Sequence, residues 1–225
     1  KKIKMVSLTS GGKLFEICQK KKIPVVLLPK NLPPRMAIGV QFGALMKILV
    51  NSKILDNNLK SISQLEKTLS PQTLKQKGEK IAQFLKNKIP LIYSSSIFRN
   101  LSYIWKINLN ETAKTFAFSN YIPELNHNEM EGFKNLPFSP SLFRGIFLKD
   151  EKDYQSNHKR INLTIQILRK KGIEFKVLTI KRKEFLKEVF SNILLSFWVC
   201  YFLGKFYKTD PLNVPTIEKF KQKLK

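Results

Sequence analysis

Hydrophobic and polar positions along this chain repeat in short blocks that switch between a period of two and a period near 3.6. Residues 3–8 alternate as a short strand does, Thr9-Ser10-Gly11-Gly12 breaks the pattern, and Leu14, Phe15, Ile17 and Cys18 then share one helical face. Pro24-Val25-Val26-Leu27-Leu28-Pro29 predicts a buried strand bounded by prolines. Pro33-Pro34-Arg35 leads into an apolar pattern over 36–50, a helix with prolines at its first turn. The polar stretch 51–63 reads as a linker, and an amphipathic helix follows it up to Asn87. Strands are then expected at 89–93, 115–121, 143–148 and 173–180, and helices at 98–107, 159–170, 185–206 and 214–225. Ser94-Ser95-Ser96 is expected as a loop, His158 as a helix cap and Gly172 as a helix terminator. Strand and helix alternating in this way imply an α/β fold with a mostly parallel sheet flanked by helices. The linker sets residues 1–55 apart from 56–225.

Composition narrows the class without naming it. With 225 residues, 43% of them apolar, the chain has ample material for a core. Lysine and arginine outnumber acids 41 to 16, a formal net charge of +25. The basic residues are scattered over nearly every segment and join no DNA- or RNA-binding module, so solvated faces are expected rather than a nucleic-acid partner. Cys18 and Cys200 have no metal-ligand or C-x-x-C spacing, which suits a reducing, cytoplasmic setting. The longest apolar run, 193–203, is shorter than the ~20 residues a membrane span needs and is expected as a buried helix. The opening residues lack the pattern of a signal peptide, and they lack an initiator methionine, which suggests a chain cut from something longer.

Two short strings carry chemistry. Asn108-Leu109-Asn110-Glu111 ends a helical pattern with a carboxylate, and Asn126-His127-Asn128-Glu129 presents one of only two histidines. They sit at the two ends of one expected strand, and form an acid/base pair if the chain folds back. Glu129 either orients His127 or starts a helix. Trp105 and the aromatic run near Trp198 read as core.

These strings, together with Ser10-Gly11-Gly12-Lys13-Leu14, Pro34-Arg35, Trp105-Lys106, Pro123-Glu124-Leu125, Gly132-Phe133, Phe143-Arg144, Asp210-Pro211 and Phe220-Lys221, stand in the order seen in bifunctional phosphoglucose/phosphomannose isomerases. The chain resembles that family, of the sugar isomerase (SIS) fold, from its first residues to its last. Ile104 stands where the family has an arginine, and nothing in residues 1–13 replaces both the Gly-Gly-Ser turn and the Ser/Thr-rich loop that hold the phosphate in the family. The resemblance therefore implies residues 1–55 as the remnant of a first SIS domain and 56–225 as a complete second one. It also implies aldose–ketose isomerisation of glucose 6-phosphate or mannose 6-phosphate with fructose 6-phosphate, impaired in a chain that lacks the phosphate loops, without a cofactor or metal, in a homodimer with a shared active site. Residue by residue, it makes Glu111 the proton-shuttling base and His127, from the partner subunit, the ring opener. Arg35 steadies the enediolate, and Lys221, with Lys219 as rival, assists ring opening. Ser10, Gly11 and Gly12 are left as a substrate-binding turn. The alternative expectation is a non-catalytic SIS module that binds a sugar phosphate.

Those residue types suit that reaction. Moving a carbonyl between neighbouring carbons needs one base to lift a proton and return it next door, a task for a partly buried carboxylate. The enediolate's charge needs a cation that gives up no proton, as a guanidinium does. A near-neutral imidazole suits ring opening.

Overall fold

The computed structural model describes residues 4–56 and 62–224, and these divide between two compact units, Lys1–Lys67 and Thr68–Lys225. The linker expected over 51–63 falls partly on residues 57–61, outside the described residues.

In the first unit, β1 (Ser7–Thr9) leads through Gly11 and Gly12 into α1 (Gly12–Lys20). β2 (Val25–Leu27) returns parallel to β1, Leu8 opposite Val26. A 3-10 turn, Pro34–Met36, then opens α2 (Ile38–Asn51), and a single turn, α3 (Leu65–Thr68), follows the undescribed residues. Both glycines of the turn have positive φ, 131° and 68°, a backbone that side chains resist. The proline-bounded run predicts a buried strand, but the residues of β2 are half-buried or exposed, Leu27 58% so, because a two-stranded sheet leaves its faces largely uncovered.

The second unit opens with α4 (Pro71–Leu85) and β3 (Ile89–Ser95), followed by α5 (Arg99–Glu111) and β4 (Phe118–Ile122). Two single-turn helices, α6 (Glu124–His127) and α7 (Glu129–Gly132), precede β5 (Phe143–Asp150). The remainder is α8 (Gln155–Lys170), β6 (Glu174–Ile180), α9 (Phe185–Tyr207) and α10 (Pro215–Lys223). The four strands are all parallel in the order β4-β3-β5-β6. Helix α5 packs on β3 and β4 with α9 behind it, and α9 in turn packs on α4. A second cluster joins Leu91 and Tyr93 of β3, Phe147 of β5 and Phe175 of β6 to Ile161, Ile165 and Leu168 of α8. The central strands are thus buried on both faces, as a parallel sheet requires.

Two glycines set how closely elements approach. A Cβ on Gly145 would lie 1.9 Å from the ring of Phe175, its direct partner across β5 and β6, so the missing side chain is the ring's berth. A Cβ on Gly78 of α4 would meet the Cβ of Trp198 on α9 at 2.5 Å. Gly172 ends α8 as expected: its amide donates to the Arg169 carbonyl at 2.9 Å and that of Ile173 to Leu168 at 3.0 Å, with φ 91° at the glycine.

Three local expectations are corrected. Ser94 and Ser95 are not loop but the buried end of β3, where the Ser95 hydroxyl accepts from the Asp150 amide at 3.1 Å. His158 lies inside α8 instead of capping it, its Nε2 3.0 Å from the Asp150 carbonyl oxygen. Helix α9, at 23 residues, is long and apolar enough to cross a membrane, because Val189 and Phe190 on one side and Phe206 on the other extend the run beyond 193–203. Half of its apolar window is buried, against α4 and α5, and it serves as a core helix.

Candidate active site

Glu111 is the last residue of α5, and main-chain hydrogen bonds fix the turn that follows it. The amides of Thr112 and Ala113 donate to the Asn108 carbonyl and that of Thr115 to Leu109, at 2.8, 3.3 and 2.9 Å. Asn110 Oδ1 accepts the Ala117 amide at 3.1 Å and so fixes the turn into β4. Asn108, the first residue of the same string, serves the core: its Nδ2 donates to Ser196 Oγ of α9 at 2.7 Å, both side chains buried. The half-buried Glu111 borders a cleft of about 480 Å³ with Asn110, Lys114, Phe116, Thr216 and Ile217.

Lys114, which sequence reasoning passed over, closes this end. Its ammonium donates to the carbonyls of Glu111 at 2.5 Å and Asn213 at 2.6 Å, joining the end of α5 to the segment that starts α10. A lysine three residues past a helix-terminal acid, where the last carbonyls want a cation, is the signal that would have found it. In the same segment the Leu212 amide, then the Asn213 amide and side chain and the charge of Lys114, outweigh desolvation and hold the Asp210 carboxyl below its usual range.

His127 closes α6 just past the other end of β4. It borders a separate cleft of about 400 Å³ with Pro123, Glu124, Asn126 and Arg160. The five residues of β4 span roughly 17 Å at the usual strand rise. The two clefts share no lining residue, so within one chain the carboxylate and the imidazole do not meet.

The other sequence-predicted residues divide between the two units. Arg35 belongs to the first unit, half-buried in the Pro34–Met36 turn. Ser10 and Gly12 are exposed in the turn before α1, where Thr9 Oγ1 accepts the Gly11 amide at 3.2 Å. Lys221 lies on α10 one helical turn past Ile217, its ammonium paired with Glu218 at 2.9 Å, and Lys219 is exposed beside it. Trp105 is fully buried, as expected of core.

A four-stranded parallel sheet flanked by helices, in the order β4-β3-β5-β6, is an α/β architecture consistent with the SIS fold. Residues 74–224 match the family described as the bacterial phospho-glucose isomerase C-terminal SIS domain, and the chain belongs to this family of SIS-domain phosphosugar isomerases. It is 31% identical over 224 residues to a bifunctional phosphoglucose/phosphomannose isomerase of Aquifex aeolicus, an alignment covering 99% of this chain and 68% of that one. It is also 30% identical over 128 residues to a D-glucosamine-6-phosphate 4-epimerase of Sulfolobus acidocaldarius, covering 56% and 41%. A glucose-6-phosphate isomerase like protein from Thermus thermophilus shares the fold, with a TM-score of 0.62 at 17% identity over 96% of this chain and 77% of that chain. The chain thus spans about two thirds of the length of its bifunctional relative.

Proposed function

We propose that this chain is part of a hexose 6-phosphate isomerase interconverting glucose 6-phosphate or mannose 6-phosphate with fructose 6-phosphate through an enediolate, in a cytoplasmic homodimer. Glu111 takes the proton from one carbon and returns it to its neighbour. Arg35 stabilises the enediolate oxygen, and His127 of a second copy, with Lys221, moves the protons of ring opening. The chemistry written this way runs on side chains alone. Residues 1–55 stand in it as the remainder of a first SIS domain, with Ser10, Gly11 and Gly12 available to the substrate, and 56–225 as the second.

The observation that carries the reading is the placement of Glu111 and His127 at opposite ends of one strand in a chain 31% identical to a bifunctional isomerase. A base and a ring-opening imidazole so separated work on one sugar only if two copies each contribute one of them. In the full native gene product, Glu111→Gln is expected to lower fructose 6-phosphate turnover by roughly 10²- to 10⁴-fold with an unchanged circular dichroism spectrum. Unchanged turnover would remove Glu111 from the mechanism. Mixing the inactive Glu111→Gln and His127→Asn proteins should restore about a quarter of wild-type activity, since half the dimers are hybrids with one intact site of two. No recovery on mixing would sink the shared site.

A second reading, a sugar-phosphate epimerase, is favoured by the likeness to the Sulfolobus 4-epimerase. Offering glucosamine 6-phosphate beside fructose 6-phosphate separates the two by product.

A further inference from the structure

We infer that Glu129 is a positioning residue for His127, holding the turn that presents the imidazole through a two-donor clamp on the sheet. For its catalytic consequence the inference rests on the isomerase reading.

Every near neighbour of His127 in the string is tied down, while its own side chain is exposed. Leu125 is fully buried in the cluster under α8. Asn126 Nδ2 donates to the buried Thr164 Oγ1 of α8 at 2.7 Å, and Asn128 Nδ2 to Glu124 Oε1 at 2.6 Å across the turn. Glu129 makes the link to the sheet. Its Oε2 accepts from Asn120 Nδ2 at 2.5 Å, and its Oε1 accepts from the Tyr93 hydroxyl. Tyr93 and Asn120 are direct partners across β3 and β4, so the two donors stand at one level of neighbouring strands and the carboxylate spans them.

The clamp is rigid at its base. The Tyr93 ring is fully buried, stacked on Phe175 at 5.7 Å and edge-on to Phe147 at 6.2 Å. Burial first, and then the charge and hydrogen bond of Glu129, push the Tyr93 hydroxyl far above its usual range, so it remains a donor wherever the protein is folded. A carboxylate answers both donors with one oxygen each, because an ionised acid is acceptor-only on both oxygens. Glutamine has one oxygen and an N–H in place of the other, so it meets both partners only if the bond to Tyr93 is reversed or both crowd onto one oxygen. A turn that needed merely to be covered would be served by another apolar side chain, as Leu125 and Phe133 already serve it. An acceptor reaching two strands fixes direction as well as contact.

These 225 residues hold two histidines, so the imidazole NMR spectrum of this chain is an uncluttered readout, with His158 as the internal control. Glu129→Gln is expected to broaden or split the His127 ring signals while leaving those of His158 in place. In the full native gene product it should lower kcat roughly 10- to 100-fold with KM for fructose 6-phosphate within about twofold. Added to His127→Asn it should cost nothing further, because it acts through the residue already removed. A His127 signal indistinguishable from wild type, or a loss in the double variant equal to the product of the single losses, overturns the inference. Should Glu129→Gln fail to fold, Tyr93→Phe, which removes one donor and little volume, is expected to broaden the same signals, and an unchanged His127 spectrum there is equally fatal. If His127→Asn itself turns over normally, the isomerase role of His127 fails, while the NMR comparison still decides whether Glu129 orients the ring.

Discussion

The two edges of the second unit's sheet are built by different means. At the amino-terminal edge backbone hydrogen bonds fix the turn at the helix end after Glu111, with Asn110 and Lys114 as side-chain supports. At the carboxyl-terminal edge, where β3 and β5 end and His127 follows β4, side chains do the holding. Arg182 binds Asp150 in a fork, with Nε at 3.0 Å and Nη2 at 2.5 Å, and its amide donates to Glu151 at 2.8 Å, while Tyr93, Asn120 and Glu129 clamp the histidine turn. An edge held by main chain tolerates substitution around it. One held by side chains responds to each of them and to pH.

The largest effect expected from that difference is at Leu125, whose replacement by alanine should cost about 3 kcal/mol in denaturant unfolding, since a fully buried side chain is removed beneath the turn. Next comes Asp150→Ala at about 2–3 kcal/mol, less than a fully buried pair because the Arg182 side chain is 35% exposed. Asp150 also supplies the pH test. Burial disfavours its charge, but hydrogen bonds from Arg182 and the Lys152 amide, with the charges of Arg182 and His158, outweigh this and hold its pKa below the usual value. Its contribution is therefore fully present above about pH 4, the unfolded value, and lost as pH falls through the lowered folded one. Asp210 at the amino edge is lowered too, but as an exposed carboxyl it holds less, so acid should loosen the carboxyl edge first by hydrogen exchange, and equal loosening would erase the contrast. Asn126→Ala, which deletes the bonds to Thr164 Oγ1 and Met130 Sδ, should cost about 1 kcal/mol. The smallest effect belongs to Lys114→Met, about 0.5 kcal/mol for an exposed ammonium, read as faster amide exchange in 213–223 with the His127 turn unaffected.

Much of the fold was legible because burial and period coincide. Four parallel strands with helices between them follow from short apolar runs separated by amphipathic stretches, and Gly172 announced the end of α8. What escaped was decided by contacts distant in sequence. Ser94 and Ser95 look like loop residues, yet they are strand because the Asp150 amide and the Ser102 hydroxyl satisfy them inside the core. His158 has a helix cap's chemistry but sits one turn further in, turned toward a β5 carbonyl. At the candidate site, the strings named Glu111 and His127, but nothing local announced that Tyr93, 36 residues earlier, would donate to Glu129. Parallel pairing brings Tyr93 beside Asn120, and that register is a tertiary fact.

Gly145 and Phe175 occupy one volume between them, a ring on β6 filling the space its neighbour on β5 leaves vacant. Such a pair can drift only in concert: bulk gained at one position must be surrendered at the other. A library randomising both sites should return large-small couples in either order, and survivors carrying two large residues would mean that the strands can part where they now touch.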